Sequence, residues 1–283
     1  MAAIADTKVM GGPQQSGRQG PAKSFPVWRW VILLAAAAYF FIPLWAALRF
    51  AGIGAFRSVL SQPGFASSLG LSARLAVITT VITIALMLPT AVYVHLRLPE
   101  VRRLLEGITI LAIVIPPVVL IVGVLQVAPG FLKSTPYLLA LMYVILAMAF
   151  AYRAIDAGLR ALDLKTVVEA ASSLGAGWIT TLWRVVLPNL TTALLSAVVL
   201  TVALVLGEFT MASLDLYQTF PVWIVVNDQA SGQISVAASL LALFVTWLVL
   251  MAITVLGTWR GRRTGRGQVT LFTVGRQQTP GGS

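Results

Sequence analysis

Residues 75–94 read LAVITTVITIALMLPTAVYV, twenty positions without one charged side chain. About 20 apolar residues carry a helix across the hydrocarbon core of a bilayer. Working outward, the same signal recurs. Trp30–Leu48 lies before this stretch, and Gly107–Leu132, Ser134–Tyr152, Val185–Gly207 and Gln229–Trp259 lie after it, each free of charge. The chain as a whole is 58% hydrophobic and 10% charged, where a soluble domain carries about 25% charged residues. In hydrocarbon every backbone N–H and C=O must be satisfied within the segment, which leaves the helix as the spanning element for stretches of this length. The sequence therefore predicts an all-α membrane protein with six transmembrane helices.

Two places modify that reading. Pro116-Pro117 interrupts the third stretch and predicts a kink, because proline removes a donor and its ring crowds the preceding turn. Only Lys133, flanked by Pro129, Gly130 and Pro136, separates the third and fourth stretches, which predicts a tight turn at a membrane surface.

The basic residues set an orientation. Arg49, Arg57, Arg74 and Lys133 fall on one side; the other sixteen of the twenty Lys and Arg fall on the opposite side. Positive residues collect on cytoplasmic loops, so both termini are expected in the cytoplasm of a multi-pass inner-membrane protein. Residues 1–25 read as a disordered cytoplasmic tail, 26–259 as the transmembrane domain and 260–283 as a basic cytoplasmic tail. A cleaved signal peptide fits less well, because the polar lead is long and no small-x-small site follows the first apolar run.

Several chemistries fall away. There is no cysteine and a single histidine, His95, so neither thiolate nor histidine-cluster metal sites are available, and no metal or cofactor is expected. The formal charge of +11 reads as membrane orientation and not as nucleic-acid binding. No Gly-x-x-x-x-Gly-Lys-Ser/Thr loop is present, so the chain does not bind nucleotide by that route. No Ser/His/Asp or metal-type cluster points to an enzyme.

The largest loop on the basic side, 153–188, begins RAIDAGLRALDLKTVVEAASSLGAGWITTLWRVVLP. Ile155, Leu159, Leu162 and Thr166 recur at helical spacing. Thr166-x-x-Glu169 fits a capping box, with Asp163 as the competing cap. Gly175 and Gly177 would end the helix and turn the chain. Trp178–Val186 would form a second short helix with Ile179, Leu182, Trp183 and Val186 on one face. Leu187, before Pro188, is biased away from helix. Taken alone, this pattern also describes an amphipathic loop lying on the membrane.

The spacing narrows the choice. Glu169-Ala170-Ala171, three residues, Gly175, nine residues, Val185, one residue, Leu187-Pro188 resembles the EAA signature of ABC importer permeases, EAA-x3-G-x9-I-x-LP, with Val185 in place of the usual Ile. The match covers seven positions over 20 residues and precedes two final spans, as in that family. The resemblance implies a type I importer permease fold. It also implies docking of the EAA loop on an ABC ATPase dimer, a second permease subunit that is homologous or identical, and an extracytoplasmic solute-binding protein. Transport would proceed by alternating access, with the ATPases drawing the EAA loops together, and the chain would have no catalysis of its own.

One acid lies near membrane depth, Glu208, in Leu206-Gly207-Glu208-Phe209-Thr210. An ionisable group there is a pathway or gate candidate; the alternative is a structural group satisfied by a partner helix or water. Phe209, Pro116 and Pro117 complete the pathway candidates. Gly207–Leu214 with Gln218–Trp223 resembles the spermidine/putrescine-type second permease, which implies a polyamine substrate; Gly-Glu also occurs in the branches for ferric iron, phosphonate and other oxyanions. Tyr217, Phe220, Pro221 and Trp223 are expected in an interfacial element or gate. An ion-coupled secondary transporter, the rival from another class, would need intramembrane acids or broken helices repeated in two halves.

Overall fold

The computed structural model describes residues 27–228 and 231–265. The tail read for 1–25 lies outside them, as do residues 266–283 of the second tail. The described residues are helical, without strands, in the order α1 Val27–Ser61, α2 Phe65–Arg97, α3 Arg102–Val114, α4 Pro117–Val127, α5 Gly130–Lys133, α6 Tyr137–Arg160, α7 Leu164–Ser173 and α8 Trp178–Thr181. A π-turn Leu182–Val186 follows, then α9 Leu187–Asn189, α10 Thr191–Gly207, α11 Thr210–Leu214, α12 Phe220–Asp228 and α13 Gly232–Gly265.

The chain divides into two units, residues 1–46 and 47–283. The first contributes the opening of α1, an apolar helix with Tyr39, Phe40 and Phe41 exposed, a surface suited to lipid or protein and not to water. The remainder of α1, within the second unit, breaks at Gly52, whose φ of 70° lies in the left-handed region.

Within the second unit, α2, α6 and α10 pack on one another. Towards one end their core is Leu75, Leu139, Tyr143, Val205 and Met211, joined by Ile121 of α4. Towards the other it is Val92, Tyr152, Ile155, Leu159, Val186 and Leu190. Small residues let the backbones approach, as is usual between membrane helices: a Cβ at Gly158 of α6 would collide with that of Ala193 on α10.

Four helices are long and apolar enough to cross a membrane: α1, which breaks at Gly52, and α2, α6 and α13. The other two expected crossings are bent pairs. The kink expected at Pro116-Pro117 is a 97° bend between α3 and α4, with Ile115 extended at ψ 119°. The fifth stretch bends by 79° between Trp178–Asn189 and Thr191–Gly207, so its straight part starts at Thr191 and not at Val185. The turn at Lys133 is a single helical turn, α5.

Of the aromatic element expected at the interface or in a gate, Phe220 and Trp223 are buried in a core cluster. Phe220 and Trp223 stack on each other with ring centroids 5.8 Å apart, and Phe65 meets both edge-on. Gly64, at φ 82°, lets the Trp223 ring lie against the backbone, and Trp223 Nε1 donates to Pro63 O over 2.9 Å. The indole N–H thus finds its partner inside the protein, as buried tryptophans usually do.

Candidate functional site

The EAA segment forms a helix with defined ends. Asp163 is its N-cap, Oδ1 accepting from Thr166 N at 3.4 Å. Asp163, and not the capping box, therefore starts α7, and Glu169 lies free to face outward beside Lys165, 4.0 Å away and exposed. At the other end Gly175 N donates to Ser172 O and Ala176 N donates to Ala171 O, at 2.9 and 3.0 Å. With Gly175 at φ 80°, this is the pair of bonds that closes a helix with a left-handed residue. Leu164 and Ala171 are buried beneath the helix, while Glu169, Ala170, Ser173 and Leu174 are exposed. Leu174 is 89% exposed, a bare leucine at the tip of a polar turn.

The second half departs from the expected single face. Val186 is buried but Ile179 and Trp183 are 71% and 64% exposed. The π-turn at Leu182–Val186 inserts an extra residue into the helical path, so residues on either side of it no longer share a face. Leu187 is helical, at φ −56° and ψ −47°, against the bias expected before Pro188. The wider π-turn just before it relaxes the crowding that a proline ring meets in an α-turn. Of the signature's last anchors, Val185 and Leu187 are half-buried and Pro188 is exposed. A cavity of about 580 Å³ lies between α7, α8 and the end of α2, lined by Arg97, Lys165, Glu169 and Trp178 among others.

The pathway candidates gather at the other end of α10, which at 17 residues is about 25 Å long. Glu208 Oε2 accepts from Tyr143 OH at 2.9 Å and Oε1 accepts from Met211 N at 2.9 Å, with Ala212 N 3.4 Å from Oε2. The carboxylate closes α10, caps α11 and ties both to α6. Phe209 is part-exposed beside it. Pro116 is exposed and Pro117 begins α4, whose Ile121 shares a core with Met211 and Ala212 of α11. The two breaks are thus brought together through the helices that follow them. Beyond α11, Asp215 lies outside the spans, and burial pushes its carboxyl above the usual carboxylate range.

Sequence reasoning missed a third feature. Asp156 falls within the loop 153–188 expected from sequence, but α6 continues unbroken to Arg160 and carries Asp156 into the protein, 6% exposed. Arg102 of α3 donates from Nη2 to Asp156 Oδ2 at 3.1 Å, and its Nε lies 3.0 Å from Oδ1. Arg160 Nε donates to the same Oδ2 at 2.7 Å, and its Nη2 to Glu106 Oε1. Glu106 is also 3.5 Å from Arg102 Nε. The available signal was two i, i+4 pairs, Arg102–Glu106 and Asp156–Arg160; nothing in it said that they meet.

Residues 65–266 match the family described as binding-protein-dependent transport system inner membrane component. The chain belongs to that family. It is a multi-pass membrane permease subunit of an ABC importer, not itself an enzyme, in a family that works with ATPase and solute-binding-protein partners. Two relatives are the molybdenum transport system permease protein ModB of Mycobacterium bovis and that of Mycobacterium tuberculosis. Each is 28% identical over 246 residues, covering 80% of this chain and 93% of the relative.

Proposed function

We propose that this permease carries an oxyanion of the molybdate class, delivered by an extracytoplasmic binding protein, and that α7 with the Gly175 turn is its contact with the ATPase. The observation that carries the choice of solute is the state of Glu208. A polyamine path would use this carboxylate as a cation ligand, but it is already engaged by Tyr143 OH and the N–H of Met211. Asp156, the one fully buried acid among the described residues, is held by two arginines, and the half-buried Asp215 lies beyond α11, outside the spans. The ModB relatives, matched over 93% of their length, support the same class.

The docking reading rests on the exposed, small-sided face of α7, where Ala170 lets a partner approach the backbone, and on the cytoplasmic placement argued from charge. In this reading both termini and residues 161–190 face the cytoplasm, two copies of the permease or one copy with a homologous partner form the path, and an ATPase dimer drives it.

The deciding experiment is solute uptake by vesicles holding the permease with its ATPase and binding protein. Labelled molybdate should enter in an ATP-dependent way, and excess spermidine should not compete. Spermidine uptake without molybdate uptake would sink the oxyanion reading and restore the polyamine one, which Gly207–Leu214 favoured.

A further inference from the structure

The ring formed by Arg102, Glu106, Asp156 and Arg160 entered above only as the reason Asp156 is not a free acid; no role was assigned to it. It joins the start of α3 to the end of α6, and only three residues separate Arg160 from the start of α7 at Leu164. Two cations and two anions alternate, and the most buried member, Asp156, receives both guanidinium groups. An apolar contact of equal volume would hold two helices at least as well, because burying charges costs desolvation that their attraction only offsets. What an alternating ion ring adds is a single register between α3 and α6. The cavity beside it, about 380 Å³ and lined by Thr109, Tyr152 and Arg153 as well as ring members, leaves room for the ring to shift as a body.

The connections run further. α3 is the first half of the pair bent at Pro116-Pro117, and the second half, α4, packs on α11 just after Glu208. A displacement of α7 therefore reaches the end of α6 through the short connection between them, where the ring is a charged tie into α3, and α3 leads through α4 to an apolar contact with α11.

We infer that Asp156 is a positioning residue for energy coupling: its ion ring carries movement of α7 through α3 and α4 to α11. The inference rests on α7 being the ATPase contact, and not on the identity of the solute.

The test uses the complete complex of permease and ATPase, with a single cysteine replacing Leu216, which follows α11 and is 90% exposed, in a chain that has no cysteine. Maleimide labelling of Leu216→Cys is timed without nucleotide and after trapping with ATP and vanadate. Nucleotide trapping should change the rate at least threefold in the otherwise unchanged chain. Asp156→Asn should retain the ATPase and trap nucleotide normally but abolish the change, and Asp156→Glu should restore it. An equal response from Asp156→Asn, or no response in the unchanged chain, overturns the inference. If Asp156→Asn fails to assemble, Glu106→Gln, on the more exposed side of the ring, is read in its place. Failure of both to assemble makes the ring a folding staple and likewise overturns it. A permease that never retains the ATPase fails at the docking step instead, and takes both readings with it.

Discussion

Gly175 offers a perturbation whose size follows from geometry. It sits at φ 80°, and a Cβ placed on it would find nothing within 4 Å. No collision enters, so any cost of substitution is backbone strain. An L-residue in the left-handed region costs roughly 1–2 kcal/mol, least for asparagine, and a β-branched residue is a stronger outlier there. Gly175→Asn should therefore be nearly silent, Gly175→Ala should cost about 1 kcal/mol, and Gly175→Val about 2 kcal/mol or more. About 1–2 kcal/mol is a factor of roughly 5–30 in a two-state population. If the closed turn is the docking form, apparent affinity for the ATPase falls by the same factor. Titrating purified permease with the ATPase and measuring the retained fraction gives that affinity, with uptake per assembled complex alongside. The expected order is Asn, then Ala, then Val. Equal retention by Gly175→Val and the unchanged chain would refute the claim that this turn presents the docking face.

Three further outcomes are expected. Cysteines introduced at Ser172 or Ser173 should resist an impermeant thiol reagent in intact cells and react after lysis; labelling from outside would reverse the orientation. Glu208→Gln should weaken the tie among α6, α10 and α11 by about 1–3 kcal/mol, the scale of a hydrogen bond to a charged group. It should lower the amount of assembled complex while uptake per complex holds; the opposite pattern would return Glu208 to the pathway. Gly158→Ala should cost about 1–3 kcal/mol by overpacking against Ala193 and lower the melting temperature. Adding Ala193→Gly should recover the loss, and Gly123→Ala, where the new Cβ meets nothing within 4 Å, should not reproduce it.

Charge-free length made the helical membrane architecture legible, because it acts on whole segments. The ends of α7 were legible too: Asp163 and Gly175 are residues whose local chemistry dictates a cap and a left-handed turn. What escaped was set by other segments. Asp156 looked like a loop residue because a charge is a poor neighbour for hydrocarbon; Arg102, 54 positions away, is what lets it be buried. Glu208 stood open between a pathway and a structural role because Tyr143, 65 positions away, leaves no mark near it. The burial of Phe220 and Trp223 was not legible because the carbonyl that satisfies the indole belongs to Pro63. The π-turn escaped for a different reason: it changes the period of the helix within one turn, which a search for constant periodicity cannot register.

That π-turn has a consequence for how the signature can be edited. Each helical residue turns the chain by about 100°, so the extra position within Leu182–Val186 acts as an angular offset between α8 and α10. Deleting one codon there would leave the apolar composition, the caps of α7 and the anchor residues intact. It would nevertheless rotate everything upstream about the axis and swing Trp178 and Leu174 towards a different neighbour. The nine-residue gap between Gly175 and Val185 is thus a setting of angle as much as of distance, and two permeases that share every anchor residue but differ by one in that gap would present their loops in different directions.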